Sequence, residues 1–274
     1  FDQDDIKING AVANLSGSPI TIALNNIKNI TKINVDGIIN QEFIRLALGE
    51  NWGHNITGEA TWSGELKITD KATDIKIKSA LEGLGLNLPS PFGKKENEIT
   101  TLLFTKESID ESQELIKAQI GTYVSAKIIK KRDYEGVMKI KNGLININSF
   151  VNELPENGVM LSAELSKVNL ESINSLFSGL NSKSFITNAN INIQELNVYG
   201  YQLSNSNIKY MPTNENLSIQ ISSDDVLGNI LWNQKENLLK AGFEKLHLKK
   251  IRALTENENK FIFYNPPKIN IKVN

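Results

Sequence analysis

Short segments in which every second residue is apolar recur along the whole chain. Strict alternation is found in Ile6/Ile8, Ile20/Ile22/Leu24, Leu66/Ile68, Ile75/Ile77, Leu84/Leu86/Leu88, Ile191/Ile193, Leu217/Ile219/Ile221, Leu246/Leu248 and Ile269/Ile271/Val273. A spacing of two places side chains on one face of a β-strand. Turn-forming residues such as Ser16-Gly17-Ser18 separate the segments. The pattern predicts a mainly β protein with an apolar sheet face, which either closes a core of its own or receives an apolar ligand.

Two segments follow a helical period instead. The first covers about residues 40–48, with Asn40 as a suitable N-cap, and the second covers about residues 170–179, capped by Asn169. Residues 107–120 fit either period, and we favour strand there. A helix of roughly ten residues persists only when its apolar stripe is packed. We therefore expect the two helices to pack on the sheet as lids or plugs.

The charge balance argues against a nucleic-acid partner. Lys plus Arg (30) nearly cancel Asp plus Glu (31) in a chain of 274 residues. A protein that binds a phosphate backbone needs a basic surface, which this balance does not favour. No flexible linker or block of charge divides the sequence, so we expect one continuous segment whose weakest seam lies near Asn142–Gly143.

The sequence has features of a piece of a longer secreted or anchored protein. It contains no cysteine, which excludes disulfides but leaves the compartment open. No apolar run reaches the roughly 18 residues of a membrane-spanning helix. The start, Phe1-Asp2-Gln3-Asp4, is neither an initiator methionine nor a signal peptide. We therefore expect an excised segment whose targeting element lies elsewhere.

Candidate catalytic chemistry is sparse. The two histidines, His54 and His247, belong to no H-x-x-x-H, H-E-x-x-H or G-x-S-x-G motif, and the acidic clusters lack the register of a calcium loop. We expect no metal, no cofactor and no enzymatic activity. Paired glycosidase carboxylates from distant strands stay open as an alternative, although a sugar site would favour more aromatic platforms than three dispersed tryptophans.

Four stretches, in order along residues 58–274, carry a resemblance to a known family. They are Trp62-Ser63-Gly64 with Leu81-Glu82-Gly83-Leu84 and Leu88-Pro89-Ser90-Pro91-Phe92-Gly93-Lys94; Gly143-Leu144-Ile145 with Leu154-Pro155 and Gly158-Val159-Met160-Leu161; Leu196 to Leu203 with Leu227-Gly228-Asn229-Ile230-Leu231-Trp232; and Phe243 to Leu248. Together they resemble the YhdP-type branch of the AsmA-like family. The first fifty residues match that family only in strand character.

The resemblance implies a bridge-like phospholipid transport protein. Its expected fold is a long antiparallel sheet curled into an apolar trough, a groove shaped like a folded taco, with the two short helices packed on it. The parent protein would be anchored in the inner membrane of a Gram-negative cell through an N-terminal helix that this chain lacks. The chain itself would be a middle periplasmic segment, which shields acyl chains on the way to the outer membrane and meets a periplasmic or outer-membrane protein.

Alternation alone selects the residues expected to line such a groove. They are Ile75, Ile77, Leu115, Ile128, Ile191, Ile193, Leu217, Ile219, Ile221, Ile230 and Trp232. Each of them also suits an ordinary sandwich core. The alternative function is a non-catalytic periplasmic β-scaffold that binds protein partners along exposed strand edges.

Overall fold

The computed structural model describes residues 6–48, 53–88, 92–171, 186–213, 216–233, 235–250 and 268–273. These residues form 18 strands and one helix, so the prediction of a mainly β protein is confirmed. The chain divides into two compact units, residues 1–145 and 146–274. The boundary lies close to the expected seam at Asn142–Gly143. That the chain is one segment of a longer repeating groove stays a prediction.

The first unit is an antiparallel meander. Its strands are β1 (Lys7–Leu15), β2 (Ser18–Ile27), β3 (Ile30–Asn40), β4 (Ile56–Ile68), β5 (Thr73–Ser79), β6 (Leu84–Leu86), β7 (Leu102–Ser108), β8 (Gln113–Ile120), β9 (Val124–Arg132) and β10 (Met138–Ile147), the last of which continues past the boundary. Sequence neighbours pair with each other, except that β7 pairs with β5 and β6 pairs with β4. Tight turns make this possible: Ser16 and Gly17 take φ values of 49° and 81° between β1 and β2.

The helix α1 (Gln41–Leu48) corresponds to the first predicted helix. The side-chain Oδ1 of Asn40 accepts a hydrogen bond from the backbone N–H of Phe43 at 2.9 Å, which is the expected N-cap. Phe43 and Ile44 pack on a buried cluster at one end of the sheet, formed by Ile39, Ile56, Ala60, Leu81 and Leu84. Burial of this stripe is what holds so short a helix in place. Of the second predicted helix, Leu170 and Glu171 are helical and residues 172–179 lie outside the described residues.

A glycine-rich stretch closes the same end of the first unit. Strand β6 pairs with the start of β4, and Leu86 exchanges backbone hydrogen bonds of 2.8 and 2.9 Å with Lys94. The backbones approach closely: a Cβ at Gly58 would stand 2.1 Å from the carbonyl oxygen of Gly83, and one at Gly83 would stand 2.5 Å from that of Glu59. Both glycines also take positive φ. Gly58 and Gly83 are therefore required by packing.

Lys94 stabilises this end from inside. Its side chain is buried, and its ammonium donates hydrogen bonds to the carbonyl oxygens of Leu84 and Lys95 at 2.7 and 3.0 Å. Burial lowers the pKa of Lys94, against the opposing effect of nearby glutamates. Lys94 thus links the segment that follows Gly93 to strand β6.

The second unit combines antiparallel and parallel pairing. Its strands are β11 (Gly158–Asn169), β12 (Ile186–Val198), β13 (Tyr201–Pro212), β14 (Asn216–Ser222), β15 (Val226–Asn233), β16 (Leu238–Leu246), β17 (Lys249–Lys250) and β18 (Lys268–Val273). Strands β12 to β16 form an antiparallel meander, whereas β11 pairs with β12 and β16 with β18 in parallel. The parallel pairing of β18 departs from the hairpin order of strands β12 to β16. Parallel partners need a long connection, and residues 251–267 provide one here.

One buried cluster marks an end of the second sheet. Val168, Ile193, Leu196, Leu203 and Val226 form its centre. Strand β13 contributes both Leu203 and Ile208 to this packing, although strict alternation would put them on opposite faces. Asn205, which lies between them, takes a φ of 50° and interrupts the alternation. Such a local irregularity is not readable from apolar spacing.

Candidate functional site: two apolar sheet faces

The first unit presents an almost continuous apolar face. Directly paired residues of neighbouring strands project from the same side of a sheet, so the register defines rows across it. One row runs Ile22, Val35, Gly64, Ile77, Phe104, Ala118, Ala126, and the next runs Leu24, Ile33, Leu66, Ile75, Lys106, Ile116, Ile128. We call the side formed by these rows the first apolar face. These two rows extend across seven strands, and Lys106 is the one charged residue in them.

Three of the four predicted wall residues of this unit lie on the first apolar face. Ile75 and Ile77 occupy adjacent rows, and Ile128 ends the row of Ile75. Leu115 is on the opposite side, because it pairs with Glu107 and Ile129. Its neighbour Ile116 takes the expected place on the face. The register therefore does not bring Leu115 together with the other three.

The reverse side of the same sheet is polar. One of its rows contains Asn34, Glu65, Lys76, Thr105, Lys117 and Lys127. Lys117 and Glu107 form an ion pair there at 3.7 Å, with half of each side chain exposed to water. The sheet thus separates an apolar side from a hydrated side, as the alternation predicts.

The middle of the first apolar face is only half-buried. Ile75, Ile77 and Ile128 each keep part of their surface exposed, whereas the cluster beneath α1 is buried. A side chain enclosed between two packed layers would be buried as well. The central rows therefore retain apolar surface that a ligand could cover.

Trp62 fills the space above two glycines on this face. Gly37 is its direct partner, and a Cβ at Gly37 would stand 2.8 Å from the indole Nε1. A Cβ at Gly64 would stand 3.0 Å from another atom of the ring. The Nε1 of Trp62 is buried and has no hydrogen-bond partner among the described residues. Trp62 was not among the groove residues predicted from the sequence. Its position beside Gly37 follows from the strand register.

Polar groups border the other end of the first apolar face. The hydroxyl of Thr31 donates to Oδ1 of Asn26 at 3.3 Å. Further along, Nζ of Lys106 lies 2.8 Å from Oε1 of Glu114 and 3.0 Å from the carbonyl oxygen of Thr73. Lys130 is the direct partner of Glu114 and is half-buried. We call Lys106, Glu114 and Lys130 the polar lip.

The second unit has an apolar face of its own. One row contains Ala163, Ile191, Ile208, Ile221, Gly228 and Phe243, the next contains Leu161, Ala189, Tyr210, Ile219, Ile230 and Ala241, and a third contains Pro212, Leu217, Trp232 and Leu239. All seven predicted wall residues of this unit lie on that side: Ile191, Ile193, Leu217, Ile219, Ile221, Ile230 and Trp232. We call it the second apolar face. Ile193 is buried in the end cluster, and the other six are half-buried.

An asparagine ladder marks the reverse side of the second sheet. The side-chain amide of Asn207 donates to Oδ1 of Asn190 at 2.8 Å and to that of Asn192 at 2.6 Å. Asn192 in turn donates to Glu164 at 2.7 Å. Stacked amides hold the register of three strands on the hydrated side. The apolar side is therefore fixed as a unit.

Within the described ranges, no group of three His, Cys, Asp or Glu residues is arranged to hold a metal ion. Asp133 has a lowered pKa because Lys139 and backbone N–H groups donate to it, and this site is a turn outside both faces. What both units offer is extended apolar surface.

Comparison with known families supplies an independent line of evidence. The model of the family described as YhdP protein matches residues 1–274. The chain belongs to the YhdP family. The match includes the first fifty residues, which the sequence motifs alone did not assign. Searches of curated proteins and of solved structures found no match.

The structure adds one observation about membranes to this assignment. In the part of the chain that the structure describes, no helix is both long and apolar enough to cross a bilayer.

Proposed function

We propose that this chain is a segment of a phospholipid transport protein and that its two apolar faces shield acyl chains from water. The observation that carries the proposal is the row structure of the first apolar face, in which Ile75, Ile77 and Ile128 stay half-buried. Membership of the YhdP family supports it. Curling of the sheets into a trough belongs to the same proposal.

The energetics suit a ligand that moves along the protein. Burial of each methylene contributes about 0.8 kcal/mol, so two acyl chains of roughly 16 carbons would gain on the order of 20 kcal/mol before the cost of ordering them. Rows of similar aliphatic side chains give similar binding free energy at successive positions. A lipid can then slide, because no single deep pocket holds it.

Family membership supports the setting that we propose. We place the chain in the periplasm, in a parent protein anchored in the inner membrane, with phospholipid as its ligand and a periplasmic or outer-membrane protein as a partner. No catalytic step is part of this function. The helix α1 closes one end of the first apolar face, where it packs on Ile39 and Ala60.

A matched pair of double variants tests the function. Ile75→Asp/Ile77→Asp places two carboxylates on the first apolar face, where a buried unpaired charge is unfavourable. We expect this variant to lose phospholipid that copurifies with the chain from membranes, as measured by native mass spectrometry. The control is Gln119→Asp/Ser125→Asp, which adds the same charge at two exposed positions on the reverse side of the sheet. It should retain lipid.

The result is interpretable only if both variants fold. Circular dichroism and thermal unfolding should show a β-sheet spectrum and a similar melting temperature for both. If the folded Ile75→Asp/Ile77→Asp variant binds as much phospholipid as the control, the proposed function is wrong. Collapse of the fold on a single substitution at either position would favour a closed core.

A protein-binding scaffold is the second candidate, and β1 is the observation that favours it. Both sides of this strand are exposed, including Val12 at 77% and Ile8 at 42%. Exposed apolar strands recruit further strands from partner chains. A scaffold would purify without phospholipid, so the same mass spectrum separates the two functions.

A further inference from the structure

We propose that the polar lip binds the phosphate group of the lipid headgroup. This inference rests on the proposed function and deepens it, because it assigns the ligand's polar end to three named residues. The lip carries two lysines and one glutamate, so its formal charge is positive. It borders the first apolar face, at the place where the acyl chains of a bound lipid would end and its headgroup would begin.

The register places the lip on the same side as the acyl-binding rows. Lys106 stands in the row of Ile75 and Ile128. Glu114 and Lys130 are direct partners one row further on. A lipid whose tails lie along the isoleucines would therefore bring its headgroup to these charges.

The environment of the lip differs from that of other ion pairs on this sheet. The side chains of Lys106 and Glu114 are 21% and 19% exposed, whereas those of Lys117 and Glu107 on the reverse side are 50% and 50% exposed. Sheltered charges interact more strongly with an ionic ligand than solvated ones do. The lip is therefore a better anion site than an ordinary surface pair.

Lys130 of the polar lip has hydrogen-bond donors that could bind an anion. Glu114 is engaged by Lys106, while Lys130 has no ion-pair partner among the described residues. Its ammonium has three donors. Phosphate oxygens would accept hydrogen bonds from this ammonium. The neighbouring carboxylate of Glu114 can accept a hydrogen bond from the amine of a zwitterionic headgroup. The arrangement fits phosphatidylethanolamine as well as anionic phospholipids.

The experiment compares lipids that share acyl chains but differ in headgroup. The 274-residue chain is incubated with vesicles that contain phosphatidylglycerol and diacylglycerol, and the bound lipids are counted by native mass spectrometry. We expect the wild type to prefer phosphatidylglycerol. The variant Lys106→Gln/Lys130→Gln should lose that preference by roughly fivefold or more, since charge-assisted hydrogen bonds are removed. Lys117→Gln/Lys127→Gln, on the reverse side, should keep it.

Further arms distinguish the possible failures. Lys130→Gln alone leaves the Lys106–Glu114 pair intact, so it should lower the preference without a change in melting temperature. An unchanged preference in both lip variants would overturn the inference but leave the function standing, because diacylglycerol would still bind. Loss of both lipids in Ile75→Asp/Ile77→Asp, and only there, would support the function alone.

Free phosphate is the other source of the same chemistry. Millimolar inorganic phosphate is added to the wild-type chain with the phosphatidylglycerol vesicles. We expect little displacement, since the acyl chains supply most of the lipid's binding free energy. If inorganic phosphate removes the headgroup preference as fully as the double lip variant does, the lip is a free-phosphate site and the headgroup assignment fails.

Discussion

The indole ring of Trp62 lies over the backbone of Gly37, its direct partner on the neighbouring strand. A Cβ at Gly37 would meet Nε1 at 2.8 Å and Cγ2 of Ile20 at 2.9 Å. The ring thus occupies space that any other residue at position 37 would claim.

Gly37→Ala should therefore lower the free energy of unfolding by about 1–3 kcal/mol, the usual cost of overpacking. Gly37 does not have positive φ, so the backbone itself would accept alanine. In a Trp62→Leu background the same substitution should cost less, because only the contact with Cγ2 of Ile20 at 2.9 Å remains. Urea unfolding of the four proteins measures the coupling. Equal costs in both backgrounds would show that the ring is not the obstacle.

A second prediction concerns two consecutive apolar residues of β8. Ile116 lies on the first apolar face, and Leu115 lies on the reverse side. Ile116→Asp should abolish phospholipid binding, whereas Leu115→Asp should leave it near the wild-type level, as judged by lipid that copurifies with each variant. The opposite result would place the groove on the other side of the sheet.

The glycine-rich end gives a third prediction. Gly83→Ala should lower the free energy of unfolding by more than about 2 kcal/mol, because the new methyl group would overlap the carbonyl oxygen of Glu59 in addition to the strain of positive φ. Gly136 has a similar φ, 82° against 88°, but a Cβ there meets nothing within 4 Å. Gly136→Ala is thus the matched control and should cost only the backbone term, about 1 kcal/mol. Chemical denaturation measures both, and equal losses would contradict the packing argument.

The buried ammonium of Lys94 gives a pH-dependent prediction. Burial lowers its pKa in the folded state below the ordinary value of 10.5. Between these two pKa values the unfolded chain binds more protons, so the stability contributed by Lys94 rises with pH. Below both values its contribution stays constant. The free energy of unfolding of the wild type, relative to Lys94→Met, should therefore increase as pH rises toward 10.5. A difference that falls with pH would show that the ammonium is stabilised by its surroundings.

The strands were predictable from the sequence because strict alternation of apolar and polar residues is typical of a β-strand with one apolar side. Ile75 and Ile77 alternate with the charged residues Asp74, Lys76 and Lys78, which fixes their side of the strand. Leu115 and Ile116 are both apolar, so only the register with β7 and β9 decides which of them lies on the first apolar face. The placement of Leu115 on the reverse side, away from the other three residues, has this origin.

Long-range features were beyond the reach of local patterns. The sequence pattern does not show that β16 pairs in parallel with β18, because a connection of residues 251–267 separates them. The polar lip was not predictable from the sequence either, because nothing local distinguishes Lys106 from an ordinary surface lysine. Only the strand pairing shows that its row contains Ile75 and Ile116. Charges on an apolar face become visible only through pairing.

The pairing order of the first unit has a consequence for how such proteins change length in evolution. Most of its strands bond to the strand that precedes and the strand that follows in sequence. Duplication of one hairpin would widen the sheet by about 10 Å, since neighbouring strands are about 4.8 Å apart. The apolar and polar sides of all the remaining strands would be preserved. Selection could thus change the width of such a sheet by copying pairs of strands, without redesign of the strands already present.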